Sequence, residues 1–95
     1  MRLELTLLAT QDLRNLHRYG VGEYGATAAD DYLAELFATF EVIAQWPYAV
    51  RERLAVRPPV RLRPHRAHNI LYSVIDETAV VLRVLHHTAN WVDLV

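Results

Sequence analysis

The groups in this 95-residue chain that could do chemistry are arginines and histidines, and they gather in its second half. Arg51, Arg53, Arg57, Arg61, Arg63 and Arg66 stand against one acid, Glu52; six arginines less one carboxylate give that segment +5, whereas the whole chain carries −1. Beyond it lie His68, Tyr72, Arg83 and the pair His86-His87. Two histidines can supply a general acid and a general base near neutral pH, and Arg61 or Arg83 could clamp a phosphate beside them. Neighbours on a strand point to opposite faces, however, so His86 and His87 serve one substrate only if the strand has ended, and within it Arg83 shares its face with His87. His65, His68, His86 and His87 together suggest a metal site, but they lack a helical i, i+4 pair and the chain has no cysteine. No metal is expected. All ten cations are arginine, so any bound anion is held by guanidinium forks and no lysine chemistry is open.

Each of these residues also has a structural role to fill. His68 opens a strand beside a proline-containing loop and could fix that loop by a hydrogen bond. Tyr72, in mid-strand, reads as a core aromatic whose hydroxyl is satisfied at an edge. Arg83 lies among Val80, Val81, Leu82, Val84 and Leu85, where a guanidinium needs a carboxylate or carbonyl partner such as a helix acid. The arginine run could also keep a sheet edge from pairing with another chain.

The elements that must position these groups can be read from periodicity. Arg2 to Leu8 alternates, with Leu3, Leu5 and Leu7 on one side, which predicts a half-buried strand. Thr10 is the expected N-cap of a first helix, with Asp12 in its first turn and Leu13 and Leu16 on its apolar stripe. Three glycines between Gly20 and Gly25 predict that it frays there. Thr27 is the expected cap of a longer helix whose Tyr32, Leu33, Leu36, Phe37, Phe40, Ile43 and Ala44 form one apolar face, ended at Trp46-Pro47. Tyr48 to Pro59 reads as a loop, Val60 to Arg63 as a short strand and Pro64 to Ala67 as a connection. Ile70–Ile75 and Ala79–Leu85 flank the turn Asp76-Glu77-Thr78 and predict a β-hairpin. Trp91, Val92, Leu94 and Val95 form an apolar tail that must pack on something. The order β-α-α-β-β-β implies an α+β domain over residues 1–95, with a helical hairpin on one face of a small antiparallel sheet. The opposite sheet face has no evident cover.

Bulk properties narrow the class. The length suits one domain with one modest core. No apolar run is long enough for a membrane span, and Met1-Arg2-Leu3-Glu4 is too charged to begin a signal peptide's apolar region. Together with the absent cysteine, this leads to the expectation of a cytoplasmic protein.

In order along the chain stand Ala9-x-x-Asp12-Leu13, Tyr19 and Gly25, Ala44-x-x-Pro47, Arg61-Leu62, His68-x-Ile70-x-Tyr72 and Arg83-Val84-Leu85-His86. With these pieces the chain resembles, over nearly its full length, the ParE branch of the RelE/ParE superfamily, the toxins of bacterial type II toxin–antitoxin pairs. The superfamily's RelE and YoeB type cleaves messenger RNA on the ribosome; the ParE type is associated with poisoning DNA gyrase and performs no known chemistry of its own. Four departures favour the latter. Asn69 stands where several ribonuclease members carry an arginine, and Arg57-Pro58-Pro59-Val60-Arg61 lacks the glutamate of the YoeB-like K-P-E-P-L segment. Lysine is absent, and the near-neutral charge contrasts with the strong basicity that binding to phosphate-rich RNA rewards.

The resemblance thus implies a toxin that inhibits gyrase, is not an enzyme and needs no cofactor. A cognate antitoxin would neutralise it through a C-terminal arm that folds on binding, and operator DNA would be reached only through that antitoxin. Candidate contacts for target or antitoxin are Arg57, Arg61, Arg63, His68, Tyr72, Arg83, His86 and Trp91. Two other readings stay open: a ribosome-dependent endoribonuclease with Arg61, Arg83 and His86 as its working residues, and a non-toxic relic that only binds its antitoxin.

Overall fold

The computed structural model describes residues 1–95. Strand β1, Arg2–Leu5, turns its leucines Leu3 and Leu5 toward the core and then stops. The alternation expected through Leu8 fails because Thr6, not Thr10, caps the first helix. The Thr6 hydroxyl oxygen accepts from the Ala9 amide at 3.1 Å, which satisfies one of the helix's free N–H groups. Leu7 and Leu8 therefore lie on an outer helical face, 72% and 52% exposed. Helix α1, Leu7–Tyr24, runs unfrayed through Gly20 and Gly22, and α2, Ala26–Gln45, follows after the single residue Gly25. With φ at 90°, Gly25 takes a conformation that L side chains rarely adopt, and it, rather than Thr27, is the residue before α2. Gly20 has a use of its own: a Cβ there would come within 3.3 Å of the Ala29 Cβ, so its absence lets the two helices approach closely. Pro47 ends α2 as expected, with Trp46 the last cap residue.

The sheet holds β1, β2 (Glu52–Arg53), β3 (Val60–His65), β4 (His68–Ile75) and β5 (Thr78–His86) in the order β1-β5-β4-β3-β2. The two-residue β2 lies inside the expected loop, and β3 runs on to His65. Three neighbouring pairs are antiparallel, but β1 runs parallel to β5, so the sheet is mixed at that edge. The β4–β5 turn has Asp76 and Glu77 at φ 48° and 58°, the backbone signature of the tight turns whose twist matches a hairpin. A bulge opposite Leu71/Tyr72 offsets the β4–β5 register between Val81 and Arg83.

Both helices pack on one face, where Ala9, Leu13, Leu36, Phe40, Ile43, Ile70, Tyr72, Ala79, Val81 and Val84 are buried together. Full burial of an aliphatic side chain such as Leu36 or Ile70 contributes about 1.5–3 kcal/mol. The opposite face is not bare. Val60, Leu62, Leu71 and Leu85 form a second cluster, packed against Val56, Leu82, Ala89 and Trp91. The tail, with its 3₁₀ turn at Trp91–Asp93, is thus a partial cover for this face.

Candidate functional site

The expected site residues fall into two groups, those fixed by the fold and those left free. Arg83 is fixed. Its Nε and Nη2 donate to the two Asp12 carboxylate oxygens at 2.8 and 2.9 Å, and Nη1 donates to the Leu94 carbonyl at 3.2 Å. Asp12 also accepts the Val84 amide at 3.0 Å. The bond and charge of Asp12 raise the Arg83 pKa above its ordinary value, against a downward effect of burial. Asp12 is therefore not a first-turn dipole partner but the acid that the apolar surroundings of Arg83 required. The pair sits where β1 has ended and β5 continues, so α1 takes over the sheet edge: Thr6 donates its hydroxyl to the Leu82 carbonyl at 2.8 Å, and its amide bonds Val81.

Arg61 is fixed too. It donates to the Val50 carbonyl, lies 5.1 Å from the centre of the Tyr48 ring and has Glu52 at 3.8 Å. Tyr72 is 1% exposed and donates its hydroxyl to the Pro47 carbonyl at 2.6 Å, so it cannot meet a partner. Burial raises its pKa, against a downward pull from Arg61 and Arg63. That corrects its place among the candidate contacts; it is a core residue tying the sheet to the end of α2.

At the far end of β3 and β4 the histidines are spread among different partners. His65 bonds Thr39 at 3.1 Å and Glu35 at 3.2 Å, and Glu35 also pairs with Arg66 at 3.1 Å. His68 Nδ1 lies 2.7 Å from the Tyr32 hydroxyl, which also reaches the His65 carbonyl at 3.3 Å. Desolvation, and then repulsion from His86, His65 and His87, lowers the His68 pKa below 6.5. Burial raises that of Tyr32. His86 ends β5 in register with His68, and its ring stands edge-on to His68 at 5.7 Å. Because the strand ends there, His86 and His87 do come together, with ring centres 4.5 Å apart. Their expected separation to opposite faces does not apply. His86 is nonetheless engaged by Thr88, 2.7 Å from its Nδ1.

The residues proposed to work together in RNA cleavage do not converge. Arg61 pairs with Tyr72 in register, whereas His86 pairs with His68, four residues along β4; at strand rise that is about 13 Å. Arg83 is meanwhile engaged by Asp12. No group of three histidine or acidic side chains is arranged to hold a metal ion.

The free group is smaller. Arg51, Arg53, Arg57 and Arg63 have no carboxylate within 4.0 Å and stand around β2 and β3, with Arg51 and Arg57 exposed and Arg53 and Arg63 half-buried. Trp91 is half-buried in the second cluster. A cleft of about 700 Å³ opens under the tip of the helical hairpin, walled by Leu16, Tyr19, Tyr24, Tyr32, His68 and His86 among others. Sequence reasoning did not find this cleft, since it arises where the hairpin tip overhangs the β3–β4 turn. By its spacing Tyr32 belongs to the apolar stripe of α2, and that pattern carries no sign that its hydroxyl meets His68.

Comparison with known proteins agrees with this architecture. The family model described as "ParE toxin of type II toxin-antitoxin system, parDE" matches residues 3–91. The chain is 31% identical over 86 residues to Toxin ParE1 of Caulobacter vibrioides, covering 90% of this chain and 88% of that one. A solved structure of the chromosomal ParDE toxin–antitoxin system from P. aeruginosa superposes with a TM-score of 0.80 at 19% identity, covering 90% of this chain and 95% of that one, a likeness of fold.

Proposed function

This chain belongs to the ParE family of type II toxin–antitoxin toxins, and from that premise we propose that it arrests growth by inhibiting DNA gyrase, without catalysis, until a cognate antitoxin neutralises it. The observation that carries the non-catalytic reading is the commitment of its would-be catalysts. Phosphodiester cleavage by a 2′-hydroxyl needs base, acid and cation at one phosphate, and here Arg61 is set about 13 Å along the sheet from His86 while Arg83 is held by Asp12. What is left to meet a partner is surface: the unpaired Arg51, Arg53, Arg57 and Arg63, suited to acidic groups through charge-assisted forks, and the cleft under the hairpin. The antitoxin arm folds over these surfaces, and operator DNA is reached through the antitoxin. No helix is long and apolar enough to cross a membrane, and the toxin works in the cytoplasm, where gyrase is.

Induction of the gene alone, with two readouts on one culture, tests this. The expected outcome is an SOS response with filamentation while messenger RNA 5′ ends stay unchanged. New 5′ ends within translated codons, without DNA damage, would replace the gyrase reading with the endoribonuclease one. Normal growth with neither signal would favour the relic.

A further inference from the structure

The cleft has a chemistry of its own. Its helical walls are apolar and aromatic: Leu16, Tyr19 and Tyr24 near the hairpin tip, with Tyr19 and Tyr24 65% and 73% exposed. Three ionised side chains line it, Asp31, Glu35 and Arg66. Glu35 is already engaged by Arg66 and His65, at 3.1 and 3.2 Å. Asp31 has no cation within 4.0 Å and stands one helical turn before Glu35 on the same face of α2. With neutral histidines, one arginine against two carboxylates leaves the lining at −1. An acidic ligand would meet Asp31 unpaired. A cation fits, because its stem can lie on the tyrosine rings, whose faces attract positive charge, while its head reaches Asp31.

We infer that this cleft receives a lysine or arginine of the antitoxin arm, flanked by an aliphatic residue that packs on Leu16 and Tyr24. The inference rests on the antitoxin reading above and deepens it. The two free surfaces then carry opposite charge, acidic in the cleft and basic around β2. They are separated by the length of β3 from Val60 to His65, about 16 Å at strand rise. One arm spans both if its base and its acids lie about five extended residues apart, or about eleven helical ones. A bipolar arm of this kind fits in one direction only, since the reversed arm would set like charge against like.

The test is the affinity of the purified toxin for the antitoxin encoded beside it, measured by titration calorimetry for the wild type, Asp31→Asn, Asp31→Lys and Tyr24→Ser. Asp31 and Tyr24 are exposed, so these variants should keep the wild-type circular dichroism spectrum. The expected result is a loss of about threefold for Asp31→Asn and about tenfold or more for Asp31→Lys, with Tyr24→Ser weakened as well. Affinity within twofold of wild type for both Asp31→Lys and Tyr24→Ser, or tighter binding by Asp31→Lys, would overturn the inference while leaving the antitoxin reading intact. Failure of the wild type to bind would overturn the antitoxin reading itself.

Discussion

Breaking the Asp12–Arg83 pair should be among the most damaging single changes in this protein. The Asp12 carboxylate accepts three donors, two from Arg83 and the Val84 amide, at 2.8–3.0 Å. The two side chains are only 12% and 18% exposed. Removing one partner from a fully buried pair costs about 3–5 kcal/mol because the other charge is stranded. The residual solvent contact here lowers that to about 2–4 kcal/mol. Asp12→Ala also leaves the Val84 amide without its acceptor at an edge β1 does not reach, which adds about 1 kcal/mol. A domain of this size loses about 4–8 °C of Tm per kcal/mol, so a loss of about 3 kcal/mol lowers Tm by about 12–24 °C. The pair Asp12→Leu/Arg83→Met removes both charges and keeps most of the volume, so it should cost no more than about 1–2 kcal/mol.

Urea unfolding followed by circular dichroism on wild type, Asp12→Leu, Arg83→Met and the double variant gives the coupling directly. A coupling energy of about 2 kcal/mol or more is expected, with the double variant more stable than either single one. Additive single effects, or singles costing under about 1 kcal/mol, would refute the view that this pair closes the sheet edge. Arg83→Met should in addition loosen the tail, since the guanidinium also holds the Leu94 carbonyl, and raise the accessibility of Trp91 to a fluorescence quencher.

Three further expectations follow from single contacts. Tyr72→Phe should cost about 1–2 kcal/mol in urea unfolding, because the Pro47 carbonyl loses its donor while the ring still fills the core; an unchanged midpoint would count against that bond. His68 is held below its unfolded value of 6.5 by burial first and its histidine neighbours second, so the folded state binds fewer protons and its contribution is fully present above about pH 6.5. That contribution is lost as pH falls through the folded value: the urea midpoint should drop between pH 7.5 and 5, and His68→Gln should remove part of the drop. Glu77→Gly should stabilise by about 0.5–1 kcal/mol by relieving a positive φ at a turn that glycine enters freely; a lowered Tm would refute this.

What the sequence made legible was whatever depends on local patterning. The apolar and β-branched runs Ile70–Ile75 and Ala79–Leu85 on either side of a turn, and the three- and four-residue spacing of Leu36, Phe40 and Ile43, located the hairpin and α2, because strands covered on both faces read as continuous apolar runs and burial of one face sets the helical period. Ends were less legible. Leu7 fits a strand alternation equally well, and only the long-range partners of Thr6, Val81 and Leu82, decide that the chain turns helical there. Gly20 read as a breaker and is instead a packing residue, a distinction that depends on Ala29 across the helix pair. In the site, the type of partner Arg83 needed was readable from its apolar neighbours, but not its identity, since 71 positions separate it from Asp12. The bulge that offsets the β4–β5 register has no marker in the local sequence.

The residues that carry the family resemblance prove to be mostly architecture. Ala9 and Leu13 lie in the core, and Asp12 between them reaches Arg83 and Val84, so two segments from opposite ends of the chain are the two halves of one contact. Tyr72 and Pro47 likewise join two separate pieces of the signature through one hydrogen bond. A signature built from such contacts secures the fold and says little about the target, because its side chains are consumed in closing the sheet edge and the end of α2. Partner choice must therefore be set by residues outside those contacts. Arg51, Arg53, Arg57 and Arg63 around β2, and Asp31, Tyr19 and Tyr24 in the cleft, can change without disturbing the core, since each is exposed or only half-buried and none takes part in the Asp12 or Tyr72 contacts. Specificity in this protein is thus expected to follow from the charge pattern of two surfaces on a shared frame. Exchanging those seven residues for the corresponding ones of a relative should redirect antitoxin pairing while leaving the unfolding free energy within about 1 kcal/mol of wild type; a chimera that unfolds, or keeps its old partner, would show that recognition is built into the frame itself.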